Sequence, residues 1–137
     1  MNKKKILVLG ASGLLGRNCV QTLSQKYNVF AHFHNRSYEF NNIKKISFSL
    51  FNKKKIFEFL NNVKPNIVIN ASGFTNVEKC EKQKKKAYKI NVEINDIFSS
   101  LSARFGFKYI SISSDHLFYQ KHKFSYQIPH SFCLYNW

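Results

Sequence analysis

KKILVLGASGLLG, running from Lys4 to Gly16, is the stretch from which the architecture can be read outward. The apolar run Ile6-Leu7-Val8-Leu9 suits a buried strand, and it leads without a spacer into Gly10, Gly13 and Gly16. Leu15 to Leu23 then reads as a helix. Strand, glycine turn and helix N-terminus in that order suit a nucleotide pyrophosphate. Gly10 can take the tight turn, Gly13 lets the main chain approach the phosphates, Gly16 lets helix and strand pack closely, and free N–H groups at the helix start face the anion. A glycine triplet alone is weak evidence. One that follows a buried strand and opens a helix favours a dinucleotide site over a plain glycine-rich turn.

Downstream the pattern alternates. Asn28 to Phe33 reads as a second strand, ending in His34-Asn35-Arg36. An acidic residue near this point would bond the ribose hydroxyls of NAD; Arg36 suits a 2′-phosphate instead, which favours NADPH, with NADH as the alternative. Lys45 to Leu50 is a third strand, and Lys53 to Asn62 a helix with Ile56, Phe57, Phe59 and Leu60 on its apolar face. After the turn Val63-Lys64-Pro65-Asn66 comes a fourth strand, Ile67 to Ile69, ending in the small residues Asn70-Ala71-Ser72-Gly73. One long helical region is expected from Asn76 to about Phe105, with Tyr88, Val92, Ile97 and Leu101 buried and Asn91 within it as a polar residue of the kind usually exposed. Lys108 to Ser113 is the fifth strand. Strands separated by helices at this spacing specify parallel crossovers, hence an α/β fold with a doubly wound parallel sheet and the ligand at the carboxyl ends of its strands.

Composition bounds the function. A chain of 137 residues with 44% hydrophobic residues supports one core and one domain. The longest apolar runs fall far short of the roughly 20 residues a membrane span needs, so no membrane partner and a cytoplasmic location are expected. Cys19, Cys80 and Cys133 are scattered without a CxxC pair, which predicts neither a disulfide frame nor a metal site. The net charge of +15 is the feature that argues for nucleic acid. However, lysine outnumbers arginine 19 to 3 in a chain also rich in Asn, Ile and Phe, and its lysine triplets are dispersed. Such short runs are usually solvated faces, so no nucleic-acid partner is expected.

Five motifs in register carry a resemblance. Gly10-Ala-Ser-Gly-Leu-Leu-Gly16, Pro65-Asn-Ile-Val-Ile-Asn-Ala71, Thr75-Asn-Val-Glu-Lys-Cys-Glu81, Ile90-Asn91 and Ile112-Ser-Ser-Asp-His-Leu-Phe118 together resemble the extended short-chain dehydrogenase/reductases, and among these the dTDP-4-dehydrorhamnose reductase branch. The resemblance implies reduction of the 4-keto group of a nucleotide-linked deoxysugar by NAD(P)H, in the pathway to dTDP-L-rhamnose and cell-surface polysaccharide. It places the cofactor on Gly10, Ser12, Gly13, Leu14, Leu15 and Gly16, with Arg36 at the adenosine ribose and Asn70, Ala71 and Ser72 across the crevice. It assigns the substrate to Thr75 and Asp115, and catalysis to Ser114, orienting the carbonyl, and Tyr135, protonating it. Where the family commonly has an Asp near the adenine, this chain has Ser49. Alternatives are a non-catalytic NAD(P)- or protein-binding member of the same fold, or another nucleotide-sugar epimerase or dehydratase of the extended type.

The resemblance also implies a lysine four residues after Tyr135, a position beyond Trp137, and a C-terminal sugar-binding portion. A phenol titrates near 10, and a cation at i+4 on one helix face would bring it into a useful range. The expectation is therefore that residues 1–137 form an NAD(P)-binding Rossmann domain, incomplete at its C-terminus and inactive alone. Its fifth strand is expected to be an exposed edge through which the chain self-associates.

Overall fold

Side chains alternate across the first strand, β1 (Lys5–Leu9), as the pleat requires: Ile6 and Val8 enter one apolar layer, Leu7 and Leu9 the other. All four are buried, which is why this strand shows no polar alternation in the sequence. The computed structural model describes residues 3–34, 38, 40 and 43–113. Around β1 lie β2 (Asn28–Phe33), β3 (Lys44–Ser47), β4 (Ile67–Asn70) and β5 (Lys108–Ser111), all parallel, in the order β3-β2-β1-β4-β5. Leu7 stands level with Phe30 on one side and Val68 on the other. The chain leaves β1 toward β2 on one side and reaches β4 on the other, so the glycine turn after β1 lies where the strand order reverses. In open α/β sheets the ligand crevice is at that place.

One helix, α1 (Leu14–Ser24), covers the Ile6 and Val8 face, with Val20 in the layer. The other face is covered by α2 (Lys53–Val63) and α5 (Ile94–Phe105), through Ile56, Leu60, Phe98 and Leu101. Full burial of each such side chain contributes on the order of 1.5–3 kcal/mol. The doubly wound parallel α/β sheet expected from the sequence is the observed fold. Helix ends are marked by left-handed residues, Lys64 after α2 and Gly106 after α5.

Three expectations need correction. The fifth strand ends at Ser111, not Ser113. The third strand ends at Ser47, not Leu50, because the chain turns there: the Asn52 amide bonds the Ser49 carbonyl, and Leu50 drops into the core. The long helix from Asn76 to Phe105 is three helices and a widened turn. Helix α3 (Val77–Lys82) stops at Gln83, whose backbone leaves the helical region, and α4 (Lys84–Tyr88) restarts on the Gln83 carbonyl. Lys89–Glu93 is then a π-helical turn ahead of α5. The buried positions of α4, this turn and α5 are Ala87, Asn91, Ile94, Phe98 and Leu101, one face at helical spacing, and Tyr88, expected inside, lies off it and is 44% exposed.

Candidate functional site

The glycine turn is held by main-chain contacts. Gly10 has φ +73°, and a Cβ on it would stand 2.6 Å from the Ser72 nitrogen and 2.8 Å from the Ala71 carbonyl carbon. The loops after β1 and β4 thus touch backbone to backbone. The Gly13 amide donates to the Gly10 carbonyl at 3.0 Å, and Gly13 caps α1 in an extended conformation. Among the described residues no side chain accepts from the first N–H groups of α1. At α2 and α3, by contrast, Asn52 and Asn76 take the amides of Lys55 and Lys79 at 3.1 and 2.8 Å. The start of α1 therefore presents unsatisfied donors and the positive end of the helix dipole. A Cβ at Gly13 would meet only the Gly10 oxygen at 3.4 Å, so this side of the turn is open; one at Gly16 would stand 2.8 Å from the Gly10 carbonyl carbon, so that side is closed.

Gly10, Ser12 and Gly13 form one wall of a cleft of about 280 Å³. His32 and His34 from the end of β2, and Ser49, Leu50 and Phe51 after β3, form a second; Ala71, Ser72 and Gly73 after β4, with Ile90 and Ile94, complete it. None of these described lining residues is a carboxylate, so none of them repels a phosphate.

Beneath the β4 loop runs a network of polar side chains. The Asn70 amide donates to Asn95 Oδ1 at 2.9 Å, and its oxygen accepts from the Ser72 backbone nitrogen at 3.0 Å and from the Ser72 hydroxyl. Tyr109 and Ser111 hydroxyls also donate to Asn95 Oδ1, at 2.6 and 2.7 Å, while Asn95 Nδ2 donates to the Asn91 carbonyl at 2.7 Å. Asn91, 7% exposed, grips the main chain of Phe74 at two points, accepting from its N–H at 2.8 Å and donating to its C=O at 3.1 Å. Asn91 lies within the π-helical turn, and its two bonds tie that turn to the loop beside the cleft. Burial pushes the Tyr109 phenol up to about 12, opposed by the neighbouring polar side chains of Asn70 and Ser111.

His32 is the buried titratable group at the cleft. Its Nε2 lies 2.8 Å from the Phe48 carbonyl and its ring packs on the Phe48 ring. Burial lowers its pKa below the usual histidine value; the Phe48 carbonyl opposes this and the neighbouring His34 adds to it. The ring is neutral at pH 7.

Of the residues expected at the site, Gly10, Ser12, Gly13, Ala71 and Ser72 come together on the cleft. Gly16 is buried behind the turn; Leu14 and Leu15 open α1 with exposed side chains, Leu14 at 84%. Asn70 lies under the loop with its side chain engaged by Ser72 and Asn95, and Thr75 is exposed beyond Gly73. Arg36, Ser114, Asp115 and Tyr135 lie outside the described residues. Sequence reasoning passed over His32, His34, Leu50, Phe51, Ile90 and Ile94. They come from three separated segments, and only the alternation on β2, which points Phe30 and His32 to the same face, could have flagged His32.

A family model for the RmlD substrate-binding domain matches residues 4–131. The chain belongs to that family. Relatives include the spore coat polysaccharide biosynthesis protein SpsK of Bacillus subtilis, 34% identical over 116 residues, covering 83% of this chain and 37% of that one. A dTDP-4-dehydrorhamnose reductase of Aggregatibacter actinomycetemcomitans is 28% identical over 136 residues, covering 96% and 42%. Among solved structures, a hypothetical dTDP-4-dehydrorhamnose reductase from Sulfolobus tokodaii superposes with a TM-score of 0.81 at 29% identity, covering 96% of this chain and 48% of that one. This member of the RmlD family thus spans about two fifths of the length of the curated relatives it matches. Among the described residues no helix is long and apolar enough to cross a membrane, and no group of His, Cys, Asp or Glu could hold a metal.

Proposed function

We propose that the chain is the cofactor-holding part of an NADPH-dependent reductase of a nucleotide-linked 4-keto-deoxysugar, a dTDP-4-dehydrorhamnose reductase-like activity in polysaccharide synthesis. The observation that carries the reading is the open side of the glycine turn: α1 donors uncapped by any described side chain, no Cβ at Gly13, and no carboxylate among the described residues lining the cleft. These fit a dinucleotide pyrophosphate. The names of the relatives support the substrate class. In this reading the main chain from Gly10 to Leu15 holds the pyrophosphate, Arg36 the 2′-phosphate, and Ala71 and Ser72 the far wall. The bound nicotinamide would supply a hydride to the C4 carbonyl. Ser114 would hydrogen-bond the carbonyl oxygen, Tyr135 would deliver the proton that the alkoxide needs, and Asp115 and Thr75 would hold the sugar. We propose one NAD(P)-binding Rossmann domain over residues 1–137.

Gly13→Asp separates fold from binding. Asp is a preferred N-cap, and a Cβ fits at Gly13, so the variant should melt no lower than the parent chain. Its carboxylate would repel the pyrophosphate. Calorimetric titration with NADPH and with NADH should show saturable binding to the parent chain, tighter for NADPH, and none to the variant. A folded parent chain that binds neither cofactor would overturn the reading. The proposal extends to self-association. Among the described strands β5 is an edge, with Tyr109 and Ile110 partly exposed. A concentration-dependent dimer or larger species is expected by sedimentation at micromolar concentration, and a clean monomer would refute it.

A further inference from the structure

A dinucleotide whose pyrophosphate rests on the first turn of α1 lays its adenosine over the ends of β2 and β3. There the cleft is lined by the apolar side chains of Leu50, Phe51 and Ile94, which suit a base, and by two polar side chains, Ser49 and His32. They are not equivalent. A serine hydroxyl both donates and accepts, so Ser49, already accepting from the Phe51 amide at 3.3 Å, can serve a base with either a 6-amino or a 6-oxo group. His32 has no such choice. The Phe48 carbonyl can only accept, so Nε2 carries the ring proton and Nδ1 is a bare lone pair.

Nδ1 has no hydrogen-bond partner among the described residues. No buried side-chain nitrogen or oxygen among them lacks one, so Nδ1 must touch open space, and the open space at His32, a residue 1% exposed, is the cleft. Resting on the dinucleotide reading above, we propose that Nδ1 of His32 is the acceptor for the adenine 6-amino group, making His32 a specificity-determining residue that selects an aminopurine over an oxopurine cofactor. A 6-oxo base would set an acceptor against this lone pair and leave a nearly buried nitrogen unsatisfied. Burial keeps the ring neutral, as an acceptor must be.

The test compares NADPH with its hypoxanthine analogue, in which the 6-amino donor is replaced by a 6-oxo acceptor and N1 gains a proton. The unsubstituted chain should bind the analogue about tenfold more weakly by calorimetry. His32→Leu should bring the two affinities within about twofold. Should that variant fail to fold, nitrogen-15 NMR of the unsubstituted chain gives the answer. The His32 Nδ1 resonance should move on adding NADPH and stay in place on adding the analogue to the same saturation. Equal affinities in the unsubstituted chain, or a preference that survives in folded His32→Leu, would overturn the inference while leaving the dinucleotide reading intact. Binding of neither compound would instead overturn that reading and the inference with it.

Discussion

Replacing Gly16 by Ala tests whether the closed side of the glycine turn is as tight as the structure has it. A Cβ at Gly16 would fall within 2.8 Å of the Gly10 carbonyl carbon and 3.0 Å of the Ala11 Cα, all main chain with no flexible side chain to yield. The turn is pinned from behind, because Gly10 itself packs on the Ser72 and Ala71 backbone. Overpacking of this kind costs roughly 1–3 kcal/mol, and the upper end applies where backbone must move. Alanine in place of glycine inside a helix returns about 1 kcal/mol, leaving a net loss of about 2 kcal/mol. At this chain length that lowers Tm by roughly 4–8 °C. The assay is urea unfolding followed by circular dichroism, with Gly13→Ala as the control, since its Cβ meets a single atom at 3.4 Å. Gly13→Ala should stay within about 1 kcal/mol of the parent chain, the cost of a poorer N-cap. A Gly16→Ala chain as stable as Gly13→Ala would refute the account of the turn.

Two further outcomes follow from the polar residues around the cleft. Asn91→Ala leaves the Phe74 N–H without its partner, while Cys80 Sγ still donates to the Phe74 carbonyl at 3.0 Å, so a loss of about 2 kcal/mol and faster amide exchange at Phe74 are expected; unchanged exchange would refute the clamp. His32 is held neutral in the fold chiefly by burial, with a smaller contribution from the neighbouring His34, whereas in the unfolded chain it titrates at 6.5. Below pH 6.5 the unfolded state binds a proton that the folded state refuses. Stability should therefore be full above that pH and decline as pH falls toward the lowered folded value, and this decline should be shallower in His32→Leu. Identical pH profiles would refute it.

The parallel sheet was legible from Ile6 to Gly16 and from the spacing of apolar runs, because a doubly covered parallel strand must be apolar on both faces and a phosphate turn must be glycine. Residue type and local order suffice for both. The ends of elements were less legible: Ser49 to Asn52 has strand-like composition, yet an amide-to-carbonyl turn ends the strand at Ser47. The break at Gln83 and the π-helical turn at Lys89–Glu93 carry no local signal, and the contact of Asn91 with Phe74, 17 residues earlier in the chain, is set by tertiary packing. His32 shows the same limit more sharply. In sequence it is a polar residue in a largely apolar strand; its buried position, its fixed tautomer and its free lone pair come from Phe48, 16 residues on, and from a cleft that exists only once the ends of β2, β3 and β4 lie side by side. Chemistry set by one residue and its near neighbours can be read from the chain, whereas chemistry set by which strands meet requires the tertiary fold.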